Sequence, residues 1–159
     1  MQFNFVQLIN DMELLKLSNQ LCFPLYALSR KVTSHYLPLL EKMGLTYPQY
    51  LVMLVLWEEN SLCVKELGCK LMLDSGTLSP LLKKMEDRNL VTRQRQKEDE
   101  RVVIISLTEA GENLKEKASA IPEEIKCSLQ LSYQELDQMR TLAKGMLDKI
   151  NNLELIRSN

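Results

Sequence analysis

Four cysteines, Cys22, Cys63, Cys69 and Cys127, are the most versatile side chains in this 159-residue sequence. A thiol can attack an electrophile, ligate a metal or close a disulfide, and spacing helps to tell these uses apart. The intervals of 41, 6 and 58 residues do not form the paired clusters of a zinc site, and the single histidine, His35, has no ligand neighbour. No metal and no other cofactor is therefore expected. Cys22 lies in NQLCFPLYALSR (19–30), at the start of an apolar run and two residues before Pro24. On its own such a cysteine reads as a small core residue.

A second set of chemistry-bearing residues lies in the middle of the chain. Over 65–101 there are 9 basic and 7 acidic residues, against 4 and 5 over 1–64 and 7 and 9 over 102–159. Only this segment is positive, and two copies in a dimer would double the attraction for a polyanion. Within it Leu78, Leu81, Leu82 and Met85 recur as a buried helical stripe, leaving Ser75, Gly76, Thr77, Ser79, Lys83 and Lys84 towards the exposed side. Short hydroxyls at a helix start suit base edges, and lysines further along suit phosphates. The cluster RQRQKEDER (93–101) serves no core. Its Arg93, Arg95 and Arg101 are candidate phosphate or minor-groove contacts. Asp99, two residues from Arg101 on a strand, is placed to hold that arginine extended.

The elements that must position these groups are mostly helical. Ser18 is expected to cap a helix running to about Met43, where MGLT stops it. Thr46 and Gln49 form a capping box ahead of a buried helix through QYLVMLVLWEE. A short helix follows in VKELGCKL and another through LLKKMEDRNL. The start of the latter stays open, because either Asp74 or Ser79 can cap it and Pro80 disturbs an early start. LVTRQR and RVVIISL then alternate as two strands around a charged turn in QKEDE. Thr108 caps the next helix, and SYQE (132–135) is a second capping box. Beyond it Leu136, Met139, Ala143, Met146, Ile150 and Leu153 form a stripe that wants a partner helix. The expected fold is mostly α with a small β-hairpin wing: a winged helix-turn-helix between long N- and C-terminal helices that dimerise.

The run LDSGTLSPLLKKMEDRNLVTRQRQKEDERVVIISLTEAGENLKEKA, with NQLCFPLYALSRKVTSHYLPLLEKMGLTYPQYLVMLVLWE, resembles the MarR family of winged-helix regulators, and within it the organic hydroperoxide resistance repressors, the OhrR group, of the two-cysteine type. The match runs from about Asn19 to Ala120. The resemblance implies a single domain over 1–159, with dimerisation helices in 1–45 and 108–159 and a DNA-binding lobe over 46–107. It also implies a homodimeric repressor that binds double-stranded operator DNA with an inverted repeat, and that lets go when an organic hydroperoxide or similar oxidant reaches one cysteine. By position that cysteine is Cys22, and the tyrosines that support it are Tyr36 and Tyr47. Some members of the family use a second cysteine in the region of Cys127, which implies an intersubunit Cys22–Cys127 disulfide.

Elementary geometry adds a constraint. Cys22 and Tyr36 are fourteen residues apart, about 21 Å on one helix, so they cannot touch within a protomer. Antiparallel pairing of two such helices would bring Tyr36 of one chain towards Cys22 of the other. With Ser18 as cap, Cys22 is the fourth helical residue, near the end of the helix dipole that favours an anionic sulfur. Cys63 stands where the family has a helix-capping hydroxyl, and Cys69 inside the first helix of the DNA-binding motif; both read as structural. Three other readings stay open: a sensor in which a small thiol caps Cys22, a MarR-type repressor answering to a small phenolic ligand held near Tyr36, Tyr47 and Trp57, and, weakest, a thiol peroxidase. For the last no base or oxyanion site beside Cys22 is legible, and no enzyme is expected.

The composition fits this picture. With 45% hydrophobic and 26% charged residues, the chain is neither disordered nor disulfide-dependent. The first sixteen residues have no basic n-region. The longest apolar run, LVMLVLW (51–57), is about a third of a membrane span. A soluble, cytoplasmic protein without a membrane partner is expected.

Overall fold

In the computed structural model, which describes residues 13–157, the chain is built from seven helices and three short strands. Helices α1 (Cys22–Glu41) and α2 (Tyr47–Glu59) are followed by β1 (Ser61–Cys63), α3 (Val64–Leu71) and α4 (Ser75–Asp87). Strands β2 (Val91–Arg95) and β3 (Val103–Leu107) lead to α5 (Glu109–Ala118), α6 (Ile121–Leu129) and α7 (Tyr133–Arg157). The order helix, turn, helix, hairpin over α3 to β3 is a winged helix-turn-helix. The N-terminal segment read for an export signal falls, over 1–12, outside the described residues. Among the described residues no helix is long and apolar enough to cross a membrane.

The start of α1 corrects the expectation for Ser18. That serine lies in a single 3-10 turn, Leu17–Asn19, and α1 begins only at Cys22, with Leu21 at the cap position and no side-chain cap. Pro24 supplies the reason. Starting at Cys22 places it third in the helix, where its missing N–H has no helical partner to lose; a start after Ser18 would put it sixth. Cys22 is therefore the first helical residue, not the fourth. At the other end Gly44 ends α1 with φ +65, Leu45 N–H donating to Leu40 (2.9 Å) and Gly44 N–H to Glu41 (2.9 Å). This is a Schellman stop, which favours glycine for its left-handed residue.

The capping box ahead of α2 is present, Thr46 N–H donating to Gln49 Oε1 at 2.9 Å. α2 is apolar on most sides and buries Tyr50, Val52, Met53, Leu56 and Trp57. Around it Leu40, Leu67, Leu78, Leu82, Met85 and Ile105 are fully buried, each contributing about 1.5–3 kcal/mol of transfer free energy. The turn between α3 and α4 is tight because Gly68 has no side chain: a Cβ there would stand 2.7 Å from the Leu73 carbonyl oxygen.

The wing is a three-stranded antiparallel sheet in the order β1-β3-β2 rather than a bare hairpin. β2 pairs β3 from Val91 opposite Leu107 to Arg95 opposite Val103, and β1 adds Leu62 opposite Ile105. Three residues are too short a run to carry a strand period, so β1 was not legible. Thr108 caps α5 by accepting Gly111 N–H at 3.0 Å.

The chain divides into two units, one up to Leu114 and one from Lys115. In the second, Ser132 and Glu135 form the expected capping box, with Ser132 N–H donating to Glu135 at 2.8 Å and Glu135 N–H to the serine hydroxyl at 3.2 Å. Over 133–153, α7 buries no residue in the protomer, and Leu142, Ile150 and Leu153 lie open. The first half of α1 is also exposed and apolar: Leu21, Phe23, Leu25, Tyr26 and Leu28.

Candidate functional site

The DNA-facing candidates divide according to the helix start. Asp74, not Ser79, caps α4: its carboxylate accepts Thr77 N–H at 2.9 Å and the Thr77 hydroxyl at 2.8 Å, and these bonds hold it below the usual carboxylate range. The stripe Leu78, Leu82, Met85 begins before Ser79, so burial requires the earlier start, and Pro80 inside the helix forgoes one rung. Thr77 is thus committed to the cap. The Ser79 hydroxyl donates to the Ser75 carbonyl at 2.7 Å. Ser75, Gly76, Ser79, Lys83 and Lys84 are exposed on α4.

The wing arginines have separate tasks. Arg93 points back to α4, its guanidinium 3.6 Å from Glu86, and its Nε is buried without a hydrogen-bond partner. Arg95 donates across the turn to the Glu100 carbonyl at 3.2 Å. Asp99 and Arg101 do not share a strand, which corrects the sequence reading: both lie in the turn between β2 and β3, where Asp99 accepts the Arg101 backbone N–H at 3.0 Å. The strands stop short because the turn satisfies its own backbone, Val102 N–H donating to the Asp99 carbonyl at 3.0 Å. Arg101 instead lines an open groove with Lys65, Cys69 and Ser75, between α3, the start of α4 and the wing. The groove joins Arg101 to the start of α4. It adds Lys65, which spacing alone did not single out, and Cys69, read from the sequence as structural and exposed here.

The candidate thiol and the candidate tyrosines lie apart in the protomer. Cys22 is exposed on the first turn of α1. The two tyrosines are brought together: Tyr36 on α1 and Tyr47 on α2 meet edge to face with ring centroids 5.1 Å apart. Tyr50 packs on Tyr36 at 6.0 Å. Burial raises the phenols of Tyr36 and Tyr47 above their ordinary range, Tyr47 adding to the effect on Tyr36. Burial, with Tyr36 and Tyr47 beside it, pushes Tyr50 up to about 12. At neutral pH all three are hydroxyl donors.

A phenol whose folded value is raised holds its proton more tightly in the fold than in the unfolded chain. Its contribution is complete below the ordinary phenol value of about 10 and is lost as pH rises to about 12. Urea unfolding between about pH 9.5 and 12 is expected to show Tyr50→Phe losing about 2 kcal/mol less stability than the parent chain. Parallel losses in the two chains would contradict the burial assigned to this phenol.

Cys63 caps α3 as a hydroxyl would, its sulfur accepting Glu66 N–H at 3.4 Å while Glu66 accepts Cys63 N–H at 2.9 Å. Cys127 is exposed on α6, 3.7 Å from the Glu123 carboxylate. Glu123 also takes bonds from Lys126 and the Tyr133 hydroxyl, which hold it below its usual range.

Comparison with known proteins supplies a context for this geometry. A family model described as transcriptional regulator SarA/Rot matches residues 34–118. The organic hydroperoxide resistance transcriptional regulator of Bacillus subtilis (strain 168) is 51% identical over 142 residues, covering 89% of this chain and 97% of that protein. Among solved structures, reduced AbfR bound to DNA is 38% identical with a TM-score of 0.76, covering 90% of this chain and 98% of that one. The disulfide-formed AbfR is similar at a TM-score of 0.59, 38% identity, and 86% and 96% coverage; AbfR is a protein of Staphylococcus epidermidis. MarR of E. coli in complex with operator DNA, 21% identical with a TM-score of 0.70 over 77% of this chain and 90% of that one, shares the fold.

Proposed function

This chain belongs to the MarR-type winged-helix transcriptional regulators of the organic hydroperoxide resistance group, and we propose that within it the protein is a hydroperoxide-sensing repressor. As a homodimer it binds an inverted-repeat operator when reduced and lets go when Cys22 is oxidised. One observation carries this reading. The exposed thiol of Cys22 sits amid an uncovered apolar surface on α1, while the protonated phenol of Tyr36 lies fourteen residues further along the same helix, paired with that of Tyr47 on α2. A second copy running antiparallel covers the apolar face and joins the halves of the site. The exposed stripe of α7 supports the same dimer. In this reading 1–45 and 108–159 dimerise and 46–107 binds DNA.

On DNA, α4 enters the major groove, with Ser75, Gly76 and Ser79 near base edges, Thr77 holding the cap between them, and Lys83 and Lys84 near phosphates. Arg101 and Arg95 at the wing serve the adjacent minor groove and backbone, with Asp99 bracing the turn. Arg93 acts from behind, through Glu86. The reduced, DNA-bound form of AbfR supports the binding half of the reading.

The chemistry balances without a cofactor. The Cys22 thiolate attacks the terminal oxygen of a hydroperoxide, the O–O bond breaks, and the alkoxide leaves and takes up a proton as the alcohol. Cys22 becomes a sulfenic acid. The sulfur of Cys127 of the other chain then attacks that sulfur; the S–S bond forms and the hydroxyl departs with the thiol proton as water. The disulfide-formed AbfR supports the existence of such an end state in a relative. Non-reducing electrophoresis after hydroperoxide is expected to show a covalent dimer that Cys127→Ser abolishes. A covalent dimer that persists in Cys127→Ser removes Cys127 from the mechanism.

A further inference from the structure

We propose that Tyr50 and Trp57 are positioning residues that carry the state of the Tyr36–Tyr47 pair to the root of the wing. The proposal rests on the sensing reading above and supplies its intramolecular output. α2 carries Tyr47, Tyr50 and Trp57 at spacings of three and seven, on one face. Tyr36 packs against Tyr50 at 6.0 Å, and Tyr50 meets Trp57 edge to face at 6.4 Å. Tyr50 and Trp57 are 4% and 8% exposed, so the row is internal. From its far end the Trp57 indole N–H donates to the Gly111 carbonyl at 3.1 Å, across 54 residues of sequence.

Gly111 is where the DNA-reading parts converge. Its own N–H donates to the Thr108 hydroxyl at 3.0 Å, and that hydroxyl donates to the Asn89 carbonyl just beyond α4. Thr108 N–H donates to the Leu90 carbonyl at 3.2 Å. The backbones press together so closely that a Cβ on Gly111 would lie 2.2 Å from that same Leu90 oxygen and 3.1 Å from the Leu107 side chain. The indole bond therefore ends on the junction that roots both β2 and β3 and follows the C-terminal end of α4.

Oxidation of Cys22 to the proposed disulfide with Cys127 replaces the sulfur acceptor that the phenols of Tyr36 and Tyr47 would meet in the dimer, so those hydroxyls must seek others. A core packed at native density has discrete arrangements rather than slack. A turn of the Tyr36 ring displaces Tyr50, which displaces the indole and its bond to Gly111, and the wing shifts against α4. The coupling between the two ends of the row is the quantity to measure.

Trp57 is the one tryptophan in the chain, which gives the wild-type dimer an intrinsic reporter. Its emission is expected to change on oxidation with cumene hydroperoxide and to return with dithiothreitol, and to stay unchanged in Cys22→Ser. In parallel, Trp57→Phe keeps a ring but lacks the N–H. It is expected to bind DNA when reduced, and to lose Cys22 thiol to peroxide, within about twofold of wild type. Its oxidised-to-reduced ratio of dissociation constants is expected to lie about fivefold or more closer to one. An emission spectrum that stays fixed through oxidative release overturns the relay, and so does a Trp57→Phe dimer that releases DNA to the wild-type extent. If Trp57→Phe does not fold, the wild-type spectrum decides alone. A wild-type dimer that keeps its DNA under oxidant overturns the sensing reading itself, and the relay with it.

Discussion

Cys22→Ser is expected to hold operator DNA through a hydroperoxide challenge that strips the wild-type protein from it. Serine keeps the size and loses the redox chemistry: an alcohol does not attack the O–O bond as a thiolate does. Cys22 stands on the exposed first turn of α1, so the replacement disturbs no core contact of the protomer. Reduced-state affinity is expected to stay within about twofold. The wild-type dissociation constant is expected to rise by about 10- to 100-fold on oxidation, the usual size of a coupling between two sites. Fluorescence anisotropy on a duplex selected from a randomised pool reads both quantities. A Cys22→Ser protein that still released its DNA would transfer the sensing role elsewhere, Cys69 in the groove beside α4 being the next thiol to test.

Gly111→Ala is expected to destabilise the fold by about 3 kcal/mol, near the upper end for overpacking. The sign is not obvious from propensity, since alanine is about 1 kcal/mol better than glycine inside a helix, and Gly111 lies in the first turn of α5. Packing decides it. The new methyl would meet the Leu90 carbonyl oxygen at 2.2 Å and its carbon at 3.2 Å. Both are backbone, and the oxygen is already fixed by Thr108 N–H, so no rotamer change relieves the contact. Urea unfolding is expected to show a lowered midpoint with an unchanged slope. A raised midpoint would mean that α5 does not press on the wing root as described.

Much of the winged helix-turn-helix was legible because local signals agree with tertiary need. The Thr46–Gln49 box marks a helix that is present; the period of Leu78, Leu82 and Met85 marks one whose burial follows, with Leu81 half-buried beside them; and the change of period after Asn89 marks strands that pair from Val91 to Leu107. Other features were hidden for physical reasons. Met72 and Gln130 end α3 and α6 in left-handed conformations that glycine or asparagine would have announced. Asp99 and Arg101 read as strand, yet the turn closes on them. The start of α1 turned on Pro24 rather than on the capping serine. The row from Tyr36 to Gly111 joins residues far apart in sequence, so no spacing rule points to it. The roles of Cys22, Tyr36 and Tyr47 came from family resemblance; the residues alone supplied only the constraint that one helix cannot bring them together.

If oxidation controls the hold of this regulator on DNA, a single titration series on the wild-type protein shows it: operator affinity measured reduced, after cumene hydroperoxide, and again after dithiothreitol. Tight binding, loss of about tenfold or more, and recovery is the expected sequence. Affinity that stays the same through all three stages would contradict it.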